Sequence, residues 1–199
     1  MKKFKSAAFL CAIVLSLSPL AGCSSTDEQV SSAPSSSSSS AVREKTEREE
    51  INVSVAEEAD KNDTGFILNS VIDSGAKAES GERYLYLDVT IKNTSDTKYE
   101  LNVLNNFYLL TNDGKEIGFD VRSQIYAANN FKGYTSNPFE VPANGEFKGY
   151  IGGFCVPEEQ NNFTVCFFPT GTDDTNKENV IKVPVTLANI IAAPADFKG

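Results

Sequence analysis

From about residue 50 onward, apolar and polar side chains alternate with a period of two. Arg83–Asn93 shows it best: Leu85, Leu87, Val89 and Ile91 fall on one face, and Tyr84, Tyr86, Asp88, Thr90 and Lys92 on the other. Successive side chains of a strand point to opposite faces, so this run predicts a half-buried strand of an antiparallel sheet. The same reading predicts strands over Ile51–Val55, Gly65–Ile72, Tyr99–Leu104, Asn106–Thr111, Glu116–Asp120, Gly145–Val156, Phe163–Pro169 and Val180–Val185. Turn-forming clusters separate them, among them Asn93-Thr94-Ser95-Asp96, Asn112-Asp113-Gly114, Pro142-Ala143-Asn144-Gly145 and Gly171-Thr172-Asp173-Asp174. No 3.6-residue period is sustained here; Arg122–Pro138 fits neither period and reads as a long loop carrying a short helix. Short strands between regular turns predict an all-β chain folded as an antiparallel β-sandwich.

The N-terminus follows another pattern. Lys2, Lys3 and Lys5 precede an apolar run from Ala7 to Leu17, followed by Leu20-Ala21-Gly22-Cys23. A basic start, an apolar middle and small residues at a cut make a secretory signal peptide. The run falls short of the roughly 20 apolar residues that span a bilayer. Leu-Ala-Gly-Cys resembles the lipobox of bacterial lipoproteins. That resemblance implies cleavage before Cys23 and transfer of diacylglycerol to its thiol, with a plain signal peptide or an uncleaved anchor as the alternatives. Two or more acyl chains hold a protein on a membrane stably, so no polybasic patch is needed.

Residues 24–41 are low in complexity, with an unbroken serine run from Ser35 to Ser40. Such a segment buries too little apolar surface to offset its ordering entropy and is expected to be a disordered, Ser-rich tether. From Ser24 to Glu50 its root-mean-square reach is roughly 30 Å. Residues 43–50 are a mixed-charge run read as the solvated end of that tether. The expected organisation is a signal peptide over 1–22, a lipidated Cys and linker over 23–50, a sandwich over 51–187 and a tail over 188–199.

Charge and composition narrow the function. Losing three lysines with the signal peptide leaves 15 basic residues against 27 acidic ones, a net charge of −12. An acidic chain is repelled by nucleic acid, which is not an expected partner. The chain has no His and no Trp. Ser-His-Asp triads, Cys-His pairs and His-based zinc sites are therefore excluded. No cofactor is expected.

Several segments resemble one family of small bacterial surface lipoproteins, the domain of unknown function DUF4352. They are Tyr84–Asn93 running into Asn93-Thr94-Ser95-Asp96, Asn106-Phe107 and Leu109 leading to Asn112-Asp113-Gly114-Lys115, Pro142 to Gly149 before a strand, and Phe154-Cys155-Val156-Pro157 at its end. The resemblance covers about residues 50–187. It implies an immunoglobulin-like sandwich related to a secreted mycobacterial antigen, and supplies no catalytic residues.

Four groups of residues carry candidate chemistry. Cys155 and Cys166 are the thiols left once Cys11 is cleaved away and Cys23 is lipidated, and an even pair in an exported protein suggests a disulfide. A hairpin pairing Cys155 with Cys166 would put Phe154, Val156, Val165 and Phe167 on the core face together. Two free thiols are the alternative. Tyr84 and Tyr86 could form an exposed aromatic stripe for sugar or peptide, although Tyr also simply favours strands. Asp173 and Asp174 are weak Ca²⁺ candidates, because the Asp-x-Asp-x-Asp-Gly pattern is missing. The expected function is a lipid-anchored, non-catalytic binding module on the extracytoplasmic face of a bacterial cell membrane. Its partner would be an envelope protein or wall glycan. A structural, wall-associated protein is the alternative, and a carboxylate-based hydrolase a remote one.

Overall fold

The computed structural model describes residues 48–78, 81–169 and 177–199. Within them the chain forms twelve strands: β1 (Glu49–Asn52), β2 (Ala59–Lys61), β3 (Thr64–Lys77), β4 (Glu82–Asn93), β5 (Tyr99–Leu101), β6 (Phe107–Thr111), β7 (Glu116–Ile117), β8 (Phe139–Val141), β9 (Gly145–Pro157), β10 (Phe163–Phe167), β11 (Asn179–Val185) and β12 (Ile190–Ala192). Three short α-helices, α1 (Val103–Asn106), α2 (Val121–Asn130) and α3 (Ala195–Lys198), and a 3-10 helix at Leu187–Asn189 accompany them. One sheet has the order β12-β3-β4-β9, with β2 also on β3; the other has the order β1-β11-β10-β6-β7. β5 and β8 form a separate pair. This is an immunoglobulin-like β-sandwich.

Alternation builds the core as expected. Leu85, Leu87, Val89 and Ile91 of β4 are fully buried, and they meet Phe107 and Leu109 of β6, Phe163, Val165 and Phe167 of β10, and Ile181, Val183 and Val185 of β11. Phe66, Phe107 and Phe167 pack ring against ring, with centroids 4.6–6.1 Å apart. Asn93 ends β4 in a turn of its own making: its side-chain oxygen accepts from the Ser95 amide at 2.9 Å, and its amide donates to the Thr97 carbonyl at 2.8 Å.

The outer face of the first sheet is not open. Tyr84 and Tyr86 lie on it as the pattern predicts, yet Tyr86 is fully buried and Tyr84 nearly so. They are covered by α2 and α3, which join them in a second apolar cluster with Ile72, Ala127, Ala193 and Phe197. The expected exposed aromatic stripe is therefore the floor of a small second core. Asp120 caps α2 by accepting from the Arg122 and Ser123 amides, at 2.8 and 3.1 Å. Ser123 and Ala127, four residues apart and both small, let the helix approach the sheet closely.

A bulge in β9 receives that helix. Leu85 pairs with Phe154 and Tyr86 with Gly152, which leaves Gly153 extra. The Gly153 carbonyl accepts from the Asp120 amide at 3.0 Å, and Tyr134 donates its hydroxyl to the Gly152 carbonyl. A Cβ at Gly153 would lie 2.7 Å from the Leu85 carbonyl oxygen and from the Tyr86 ring.

Residues 188–199 do not form a tail. β12 pairs in parallel with Val71–Asp73 of β3, and Phe197 of α3 is fully buried against Phe131, Tyr86 and Tyr150. The expected strand at Tyr99–Leu104 stops at Leu101, because the Asn102 side chain accepts from the Leu104 amide and starts α1.

Two substitutions test this cover. Phe197→Ala should cost about 3–5 kcal/mol by urea unfolding, as for a buried Phe elsewhere. Gly153→Ala should cost about 1–3 kcal/mol, because the added methyl meets the Leu85 carbonyl and the fully buried Tyr86 ring, neither of which is free to turn away.

Candidate functional site

The outer face of the second sheet carries the best-formed site. Its floor is Tyr108, which points outward from β6, and Phe168, which follows β10. The two rings stack with centroids 5.5 Å apart. Asn106 sets Phe168 in place: its carbonyl accepts from the Phe168 amide at 2.9 Å, and its side-chain amide donates to the Phe168 carbonyl at 3.1 Å. Two cations sit against the Phe168 ring. The Arg48 guanidinium carbon lies 4.9 Å from the ring centroid, and the Lys177 ammonium 5.2 Å away. Arg48 also donates through Nε to the Lys177 carbonyl at 3.0 Å. Together with Leu104 and Glu116 these residues line a cleft of about 300 Å³.

Two features set this cleft apart. Leu104 is 62% exposed, on a helical turn that turns Val103 into the core and Leu104 out of it. Arg48 and Lys177 share one ring with no ion pair among the described residues, a lack found also at Lys115, Lys132 and Lys198, whereas Lys61, Lys92, Lys98 and Lys182 each meet a carboxylate at 2.5–2.8 Å. Burial raises the Tyr108 hydroxyl well above the ordinary phenol range, and its hydrogen bond with Cys166 adds to this. A larger cleft of about 420 Å³ is lined by Asn52, Val53, Ser54, Val55, Glu57, Pro184 and Asn189. It offers one carboxylate, no cation and no ring, and so little to recognise a ligand with.

The sequence-derived candidates are dispersed. Cys23, Asp173 and Asp174 lie outside the described residues. Tyr84 and Tyr86 are enclosed; Tyr86 donates its hydroxyl to the Ser123 carbonyl at 2.7 Å and has no route to a ligand. The expected Cys155–Cys166 bond is not formed, and both thiols are free. β9 pairs with β4, while β10 pairs with β6 and β11, so the two strands belong to opposite sheets rather than to one hairpin. Cys155 faces outward from the first sheet and Cys166 outward from the second, with the core between them. Packed sheets lie about 10 Å apart, beyond the reach of a disulfide.

Neither thiol is tuned for reaction. Burial, with the Glu82 carboxylate beside it, pushes Cys155 up to about 12, and burial pushes Cys166 up to about 11. Among the described residues, no group of three or more His, Cys, Asp and Glu could hold a metal ion. None of their helices is long and apolar enough to cross a membrane.

A family model described as a domain of unknown function, DUF4352, matches residues 53–180. The chain belongs to the DUF4352 family. No curated protein matches it. Among solved structures, yjhA from Bacillus subtilis is 15% identical with a TM-score of 0.47, covering 68% of this chain and 98% of that one. The chain of ycdA, a candidate lipoprotein from the same species, is 13% identical with a TM-score of 0.46; the match covers 68% of this chain and 40% of that longer one. MPT63, a secreted protein from Mycobacterium tuberculosis, is 11% identical with a TM-score of 0.42, covering 66% of this chain and 96% of its own.

The cleft was missed because its parts are distant in sequence. One signal was available: in Phe167-Phe168, successive strand residues face opposite ways, so one of the two rings must leave the core.

The thiols give a test with a definite sign. An unfolded thiol ionises near its ordinary value of about 9. The raised folded values mean that this contribution to stability is full below that pH and is lost as pH rises towards 11–12. The melting temperature should fall over this window, and less so in Cys155→Ser/Cys166→Ala. At mildly alkaline pH, iodoacetamide should label the native thiols slowly and both of them at once in guanidinium without reductant. A chain unlabelled in guanidinium would carry the bond after all.

Proposed function

We propose that this DUF4352 chain is a lipoprotein held by Cys23 on the extracytoplasmic face of the membrane, with its sandwich acting as a non-catalytic binding module. The observation that carries the binding reading is the open cleft at Arg48, Tyr108, Phe168 and Lys177, on the one outer sheet face that no helix of the described chain covers. Support for the anchor comes from the signal peptide and Leu20-Ala21-Gly22-Cys23. The serine-rich stretch then serves as a tether between Cys23 and the sandwich.

The non-catalytic reading rests on chemistry. There is no His to act as base, and both sandwich thiols stay protonated at neutral pH. The partner is an envelope protein or a wall glycan, since the charge of the mature chain opposes nucleic acid.

Cys23→Ala should shift the protein from the membrane fraction to the medium or soluble periplasm; retention in the membrane would refute the anchor. In-cell crosslinking of the anchored protein should capture one dominant partner, protein or glycan, that the Cys23→Ala form captures poorly. Absence of any specific crosslink would favour a purely structural, wall-associated role.

A further inference from the structure

We infer that the cleft bounded by Arg48, Leu104, Tyr108, Glu116 and Lys177 binds an anionic envelope polysaccharide. Arg48 and Lys177 hold its carboxylate or phosphate, while Leu104 and Tyr108 take the apolar face of a sugar ring. The inference rests on the binding-module reading and names the ligand class for the same cleft.

Charge is the first argument. Each cation lies about 5 Å from one ring centroid, so the two charges are at most about 10 Å apart. That is near the screening length at physiological salt, and they repel each other. Carboxylates are abundant in this acidic chain, and several other lysines have one. Among the described residues these two have none, and neither do Lys115, Lys132 and Lys198; what marks Arg48 and Lys177 is that both lie against one ring, that of Phe168. A negative group placed between them relieves the repulsion.

Geometry is the second argument. The hydrogen bond from Arg48 Nε to the Lys177 carbonyl fixes the guanidinium plane. Its two terminal amino groups have no partner among the described residues, and such a pair suits the two oxygens of a carboxylate or phosphate. The third argument is the apolar side. Exposed Leu104 contributes little to the core, and a cleft of about 300 Å³ is near the lower end of ligand-site volumes, enough for one or two sugar units. Among the described residues lining the cleft Glu116 is the one carboxylate, so it opposes an anion and provides a variant of opposite sign.

Carboxylated and phosphorylated glycans share this chemistry, and the probes separate them. Full-length lipidated protein in zwitterionic nanodiscs would be titrated with soluble wall glycan bearing lactyl carboxylates, with poly(glycerol phosphate), and with neutral chitin oligosaccharide as control. One anionic polymer should bind, more weakly as salt rises, and the neutral control should not. Arg48→Gln/Lys177→Gln should weaken binding by about tenfold or more, and Glu116→Gln should tighten it by about two- to fivefold. Melting curves check that the variants fold; if the double variant does not, Glu116→Gln and Leu104→Asp carry the test, the latter expected to abolish binding.

Equal binding of the neutral glycan, or anionic binding unmoved by these variants, overturns the inference while leaving a binding module in place. No binding to any probe also overturns it, and crosslinking then judges the wider reading alone. Binding gained only in Asp173→Asn/Asp174→Asn would assign the two cations to the chain's own acids, and would overturn it as well.

Discussion

A phenol buried behind a sheet needs a hydrogen-bond acceptor, and the outer face of the first sheet is arranged to give Tyr86 one. Its hydroxyl bonds the Ser123 carbonyl inside the first turn of α2. An unbonded hydroxyl there would cost about 1–3 kcal/mol. The helix must therefore sit close, and closeness sets the rest: small residues at Ser123 and Ala127, a glycine bulge beneath them, and the Asp120 amide bonded to the Gly153 carbonyl. Phe131, Tyr134 and Phe197 then close around the Tyr86 ring. One face of the sandwich is thereby closed by helices.

Most of the fold was legible because alternation leaves a strong signature where one face is buried. β4, β6, β9, β10 and β11 fall where the pattern put them, within a residue or two at their ends. Even the facing of the cysteines was right: Phe154, Val156, Val165 and Phe167 point to the core, and Cys155 and Cys166 point away. Parity could not tell a hairpin from an arch. Two consecutive strands that cross between sheets satisfy the same inward pattern, but their outward residues end on opposite sides of the molecule. The Tyr84–Tyr86 stripe failed for a related reason: period two names a second face without saying what covers it. α2 buries only two residues and α3 has four in all, too few for a helical period to register.

The candidate cleft was less legible still. It joins residues from before β1, from α1, from β6 and β7, and from both sides of the stretch 170–176, which lies outside the described residues. Its defining property is that two cations lie against one ring, that of Phe168, which no local pattern encodes.

β1 runs parallel to β11, its four residues paired from Glu49–Asn179 to Asn52–Lys182, with Lys182 also bound to Glu50 at 2.5 Å. This strand is the first of the sandwich, so a pull from the N-terminal side reaches it before any other. Tension along the strand axis loads all four pairs together in shear, instead of opening them one after another. The joint is thus built to resist drag along that axis and to yield to a sideways peel.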